Sequence, residues 1–149
     1  MCQDMDEKDV SILEMLLQDS RINVTNMSQQ LGIPRATIQD RIKRMVKKGI
    51  IKKFTIKPDY GKLGLNVTSY VFIAFAGNVE VSQRSLAYDI AKIPGVYEVS
   101  VISGEWDILL KIRTATVEEV GTLVIDRLRS MRGILKTETC VSFQTIKEE

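Results

Sequence analysis

Between Arg35 and Lys57 the chain carries nine cations, Arg35, Arg41, Lys43, Arg44, Lys47, Lys48, Lys52, Lys53 and Lys57, against the single carboxylate of Asp40. Guanidinium, ammonium and amide groups at this density pair with phosphates through counterion release, and with guanine and adenine edges through hydrogen bonds. Within the run, Ile38, Ile42, Met45 and Val46 recur at helical spacing on one side. That leaves Ala36, Asp40, Lys43, Arg44 and Lys47 on the other, with Arg35 and Gln39 at the exposed edge near the start. A helix that packs by one face and offers cations and amides on the other suits a major groove. On this reading Arg35, Ala36, Gln39, Asp40, Lys43 and Arg44 face bases, while Lys47, Lys48, Lys52 and Lys53 lie toward phosphates. Charge alone also fits a solvated basic face, so the elements around the helix have to decide.

Those elements favour a helix-turn-helix. Val24, Met27 and Leu31 form one apolar stripe behind Asn23, which is placed to cap the helix, and Gly32 breaks it. Pro34 suits the first turn of the next helix, where its missing N–H has no partner to lose. An earlier helix, from about Asp6 to Asp19, is expected to bury Val10, Ile12, Leu13, Leu16 and Leu17 and close a three-helix core. Asp6, Glu7 and Asp9 crowd its first turn, at the positive end of the helix dipole. Residues 1–34 carry only Lys8 and Arg21 against six carboxylates, so the overall charge of +2 conceals a polarised head.

Histidine is absent from the 149 residues, which removes Ser-His-Asp and Cys-His nucleophiles, His-ligated zinc and the commonest general base. No Gly-rich phosphate loop or paired-carboxylate motif stands in their place, so an enzyme is not expected, and neither is a cofactor or metal. Cys2 and Cys140 are far apart and indicate no disulfide framework; Cys140 reads as a small sheet residue. No run of about 18 apolar residues is present, and the first ten residues are acidic where a secretory signal is basic and then apolar. The expected location is therefore the cytoplasm, on the nucleoid, with no membrane partner.

After Gly49 the period changes. Phe54 and Ile56 alternate with Lys53, Thr55 and Lys57 as in a short strand, which ends the head at 1–57, and Pro58, Gly61 and Gly64 mark 58–66 as a linker. Residues 67–149 then read as strand, helix, strand, strand, helix, strand. The strand from Val67 to Ala76 is apolar on both faces, and a helix spans Val81 to Ile93. Strands follow at Val96 to Ser103 and Asp107 to Thr114. A helix opens at Thr116, boxed by Glu119, with Val120, Leu123, Val124 and Leu128 inward. The last strand, Ile134 to Ile146, is patterned by Leu135, Val141 and Phe143. The fold class is thus α+β: an N-terminal winged-helix-like helix-turn-helix head plus a C-terminal ferredoxin-like βαββαβ sandwich. That sandwich leaves one sheet face bare, and a first strand apolar on both sides predicts a homodimer through it, which would present two basic helices to one double-stranded DNA.

Four segments, DEKDVSILEMLLQDSR, RATIQDRIKRMVKKGII, VISGEWDILLKIR and GILKTETCVSF, occur in an order and spacing that resemble the Lrp/AsnC (feast/famine) family of transcription regulators over nearly the whole chain. The resemblance implies a dimer that assembles further, often to an octamer, and a small effector, usually an amino acid, bound between dimers. It also implies an effector site at the turn Gly104, Glu105, Trp106, Asp107 and at Thr137 and Thr139. A turn N–H can meet a carboxylate, Asp107 an ammonium, and two hydroxyls can complete the set. The same residues have a plainer role as a tight hairpin, a turn cap and strand threonines. Where many relatives begin the recognition helix with serine, this chain has Pro34, which shifts weight to Arg35. Arg41 matches a common family arginine and is expected to brace the head. The expected function is sequence-specific, effector-responsive transcription regulation. The alternative is an architectural, low-specificity DNA-compacting protein of the same fold. A metabolic small-molecule-binding partner fits the +8 segment poorly.

Overall fold

Apolar stripes at helical spacing build the first unit, residues 1–57, from three helices: α1 Glu7–Gln18, α2 Val24–Leu31 and α3 Arg35–Lys47. The computed structural model describes residues 5–77 and 80–148; Cys2 and Asp4 lie outside them. Ile12, Met27, Ile33, Ile38, Met45 and Ile51 are the buried core of this unit. Asn23 caps α2, its Oδ1 accepting from the Asn26 N–H at 2.8 Å, an interaction worth about 1 kcal/mol. Gly32 ends α2 in the left-handed region, φ 64°, where a side chain would be strained. That turn sets the angle between α2 and α3.

Several expectations for the head are corrected. Leu17 is 78% exposed and Val46 is 45% exposed; the buried stripe of α1 runs through Asp9, Ile12, Leu13 and Leu16 instead. Asp9, expected to serve only the helix dipole, is 1% exposed. It completes a reciprocal capping box with Asp6 and takes the guanidiniums of both Arg41 and Arg44. Phe54 and Ile56 are exposed, and no strand forms over 53–57 among the described residues. The alternation is real, but the described residues of this unit hold no second strand to supply the ladder, and a lone strand has no backbone partners.

The second unit, residues 58–149, is a four-stranded antiparallel sheet in the order β2-β3-β1-β4, with β1 Val67–Phe75, β2 Val96–Val101, β3 Ile108–Thr114 and β4 Ile134–Val141. One face carries α4 Gln83–Ile90 and α5 Val117–Thr122, the latter continued by a π-helical stretch, Leu123–Leu128. Val71, Ile73, Leu110, Ile112 and Ile108 meet Leu86, Ile90, Val120, Val124 and Leu128 in the core. The order is the ferredoxin-like one, and the helical pattern after Thr116 holds although its π turn was not foreseen.

Boundaries differ for identifiable reasons. α4 begins late because Ser82 caps it, accepting from the Ser85 N–H at 3.1 Å. β4 stops at Val141, where its ladder to β1 ends opposite Ser69 with one more bond from the Ser142 N–H to Thr68 O, while β1 continues to Val67 beside β3. Leu135 falls in the register shift between Ala74 and Phe75 and is 72% exposed, while Phe143 is fully exposed, so neither patterns a buried face. The 58–66 segment is not a loose linker. Its Tyr60–Gly64 turn carries bonds from Leu63 and Leu65 N–H to Tyr60 O, and the Tyr60 ring packs on Tyr97.

Two stability outcomes follow for the helical unit. Asp9→Ala leaves Arg44 without its carboxylate and Arg41 with Asp6 alone. Breaking a fully buried pair costs about 3 to 5 kcal/mol, and because Arg41 and Arg44 are partly exposed, the loss expected in urea unfolding is about 2 kcal/mol. Separately, the Arg41 guanidinium, with help from the Asp9 N–H, holds Asp6 down from 3.8 to about 2. The stabilisation is therefore full above 3.8 and is lost as the pH falls through 2. In Arg41→Met the far-UV signal should begin to fall at a higher pH; an unchanged acid limb would contradict the assignment.

Candidate nucleic-acid and effector sites

The basic helix α3 begins without a side-chain cap: Pro34 is the N-cap residue, with φ −57° and ψ 141°, and makes no capping hydrogen bond. Its first N–H groups are thus open to an outside acceptor, and a phosphate is the acceptor a helix N-terminus favours. Ile38 and Met45 are buried and Ile42 half-buried, which fixes the rotation of α3 about its axis. On the other side Arg35, Ala36, Gln39, Asp40, Lys43 and Lys47 are all exposed.

Arg44 behaves differently. It is 46% exposed, but its Nη2 is held on the Asp9 carboxylate, so in the free chain this guanidinium is turned toward α1. Arg41 takes the bracing place expected of it, with Nη1 at 2.6 Å from Asp6 Oδ1 and 2.9 Å from Asp9 Oδ1. The two arginines and Asp9 clamp α3 to α1, leaving Arg35, Gln39 and Lys43 as the outward set. Asp9 is the functional residue that the sequence reading missed. Its signal was a carboxylate three residues before Ile12, on the apolar stripe itself.

In the second unit the turn from Gly104 to Asp107 joins β2 to β3. Gly104 is exposed with φ 128°, and a side chain there would meet nothing within 4 Å. Asp107 is heavily engaged. Its Oδ2 accepts the Phe75 N–H at 2.7 Å, and its own N–H donates to Ile73 O at 2.9 Å. The Gln83 amide donates to its backbone oxygen at 3.1 Å and, at 3.4 Å, to Oδ1. One residue thus ties the end of β1, the first turn of α4 and the start of β3 together, and Oδ1 is the carboxylate oxygen with capacity to spare.

The remaining expected residues do not converge within one chain. Trp106 lies over the open sheet face, 6.0 Å from the Phe72 ring centroid, with Lys136 Nζ 4.7 Å above its own ring. Thr137 and Thr139 pair with Ile73 and Val71 and so share the helix-covered face at the sheet edge. Thr137 Oγ1 accepts from Arg129 Nε at 3.0 Å. A shallow cleft of about 300 Å³ lies there, lined by Arg129, Ile134, Leu135, Lys136 and Thr137, and Thr137 is the member of the expected set that lines it. Glu105 is exposed beside the turn.

Comparison with known proteins agrees with this architecture. Residues 5–52 match the family model for a winged helix-turn-helix DNA-binding domain, and residues 68–149 match that for the Lrp/AsnC ligand binding domain. An HTH-type transcriptional regulator of Pyrococcus abyssi is 51% identical over 149 residues, all of this chain and 99% of that one. The proline dehydrogenase transcriptional activator of Rhizobium radiobacter is 30% identical over 97% of this chain and 93% of its own length. Among solved structures, a transcriptional regulator of Neisseria meningitidis in complex with L-methionine superposes with a TM-score of 0.91. It covers 97% of this chain and 93% of that one, and at 19% identity it speaks to the fold. With both halves matched in order and a relative identical at half its positions, this chain belongs to the Lrp/AsnC family of DNA-binding transcriptional regulators.

Proposed function

We propose that the protein is a sequence-specific regulator whose DNA binding or assembly responds to a small effector, an amino acid being the expected class. The observation that carries the DNA half is the exposed face of α3: Arg35, Gln39, Asp40 and Lys43 stand outward while Ile38 and Met45 are buried on the opposite side. Arg35 and Lys43 supply donors for guanine, Gln39 an amide for adenine, and Asp40 an acceptor for a cytosine amine. Lys47, Lys52 and Lys53, exposed beyond them, serve phosphates.

The effector half rests on the match to a ligand binding domain and on the methionine complex of the Neisseria regulator. The ligand would gather Gly104, Glu105, Trp106, Asp107, Thr137 and Thr139 from more than one subunit, since a single chain does not bring them together. We assign the dimer contact to the open sheet face around Tyr70, Phe72 and Leu109, with further assembly of dimers into a ring such as an octamer.

Three measurements test this reading. Lys43→Ala should weaken binding to a cognate promoter fragment, costing about 1 to 3 kcal/mol where a base contact is lost, and should lower the salt slope by about one. No change in affinity, slope or preference would remove α3 from the groove. Competition of the same fragment against bulk DNA then separates a sequence-specific regulator from an architectural compacting protein, for which the two compete equally. Finally, titration calorimetry with the twenty amino acids should find saturable binding by one or a few, lost in Thr137→Val and in Asp107→Ala. Asp107→Ala also removes a backbone clamp, so Thr137→Val, checked for unchanged melting, is the decisive variant; an unaltered response there overturns the site.

A further inference from the structure

The open sheet face is not bare at its linker end. Lys111 and Arg113 project there from β3, only 6% and 7% exposed, opposite Tyr70 and Thr68 of β1. Glu148 places one carboxylate oxygen, Oε1, between Lys111 Nζ and Arg113 Nη2. Arg113 Nη1 donates to Thr68 Oγ1 at 3.0 Å. The guanidinium carbon lies 3.9 Å from the Tyr60 ring centroid and 5.5 Å from that of Tyr97, the two rings meeting edge to face. Glu98 reaches Lys111 only from the rim, at 3.9 Å and 68% exposed. Two buried cations therefore face one partly exposed carboxylate.

Two details show that this carboxylate is a poor fit. Arg113 Nε is buried and has no hydrogen-bond partner. A carboxylate bound side-on to a guanidinium uses Nε and Nη2 as a fork, whereas Glu148 takes Nη2 and leaves Nε orphaned, at a cost in buried polar desolvation. The segment that carries Glu148 is not anchored by its large apolar side chains. Between Val141 and Glu148 the large apolar side chains Phe143 and Ile146 are 104% and 84% exposed, so charge rather than packing seats this strap.

We propose that Thr68, Lys111 and Arg113, walled by Tyr60 and Tyr97, form a receptor for small carboxylate ligands, with Glu148 as its tethered and displaceable occupant. A free carboxylate is not bound by the strap's geometry and can engage both fork nitrogens, satisfying Nε while Lys111 neutralises its second oxygen. The site is separate from Asp107, Thr137 and Thr139. It borders the face assigned above to pairing: Tyr70, opposite Lys111, touches both, while Phe72 and Leu109 are toward the other end of the sheet. Its occupancy bears directly on Tyr60, in the turn just after the division between the two units.

Chemical rescue in the full chain tests this. Glu148→Ala should lower the melting temperature by roughly 5 °C or more, as expected for a buried charge left unpaired. Acetate or succinate should restore most of the loss, while chloride at matched ionic strength should not. Rescue should persist when Asp107→Ala is added and vanish when Lys111→Met is added. Equal effects of acetate and chloride would overturn the proposal. Should Glu148→Ala fail to fold, the unaltered chain decides: succinate, and not chloride, should speed amide hydrogen exchange over residues 142–148, and unchanged exchange would overturn it.

Discussion

Asp9 sits almost wholly out of water in the core stripe of α1, and a carboxylate in that position must be matched where it stands. Its two oxygens go to Arg41 and Arg44, and its own N–H and that of Asp6 are satisfied by the box between them. Both arginines come from one side of α3. Desolvating one charge on α1 therefore sets both the distance and the rotation of the helix whose opposite side we assign to DNA. Apolar packing through Ile38 and Met45 gives α3 a face to bury, but hydrophobic contacts are non-directional. The directional element is the pair of guanidinium bonds.

The same constraint recurs in the second unit with the signs reversed. Lys111 and Arg113 are buried on a sheet face that helices do not cover, and they draw Glu148 across to neutralise them. Regular alternation along β3 hides this, since Ile108, Leu110 and Ile112 face the helices and the intervening positions are open to the other side. The open face then has two regions of different chemistry: an aromatic end around Phe72 and Trp106, suited to a protein surface, and a cationic end around Arg113, suited to an anion. The lysine held low in solvent also accounts for the direction at Glu148, whose carboxyl lies below its usual range because of Lys111 first and Arg113 after it.

Much of this was legible in the sequence, and the exceptions share a cause. The helix pair, the βαββαβ order, the inward set Val120, Leu123, Val124 and Leu128, and the bracing role of Arg41 follow from period and capping, which are local. What local pattern could not supply was which of two adjacent stripes on α1 would be buried, and so Leu17 was placed inside and Asp9 outside. Phe54 and Ile56 alternate as strand residues do, yet strand formation depends on a neighbour that only the tertiary structure could deny. Thr137 and Thr139, two apart in one strand, share a face as the alternation of a strand requires. That the face belongs to the helix side, while Trp106 turns to the other, depends on the β1–β4 register, which no motif in either strand encodes. Ser82 as a cap and the π turn after Thr122 are finer features of the same kind.

A consequence for regulation lies in how the expected effector contacts are already used. Asp107 holds the Phe75 N–H and Thr137 holds Arg129 in the free chain. A ligand shifts an equilibrium only by the difference in its affinity for two states. If these groups were open and preformed, binding would leave the turn, β1 and α4 where they are. A ligand that displaces these bonds, rather than meeting only the Oδ1 of Asp107, loosens the tie between the Gly104 turn and the end of β1, or between the last helix and β4. Either exchange moves elements at the sheet edge, where backbone and side chains are open to a neighbouring subunit in the proposed assembly. The internal hydrogen bonds that make the site look occupied are therefore what would let an effector alter assembly rather than merely bind.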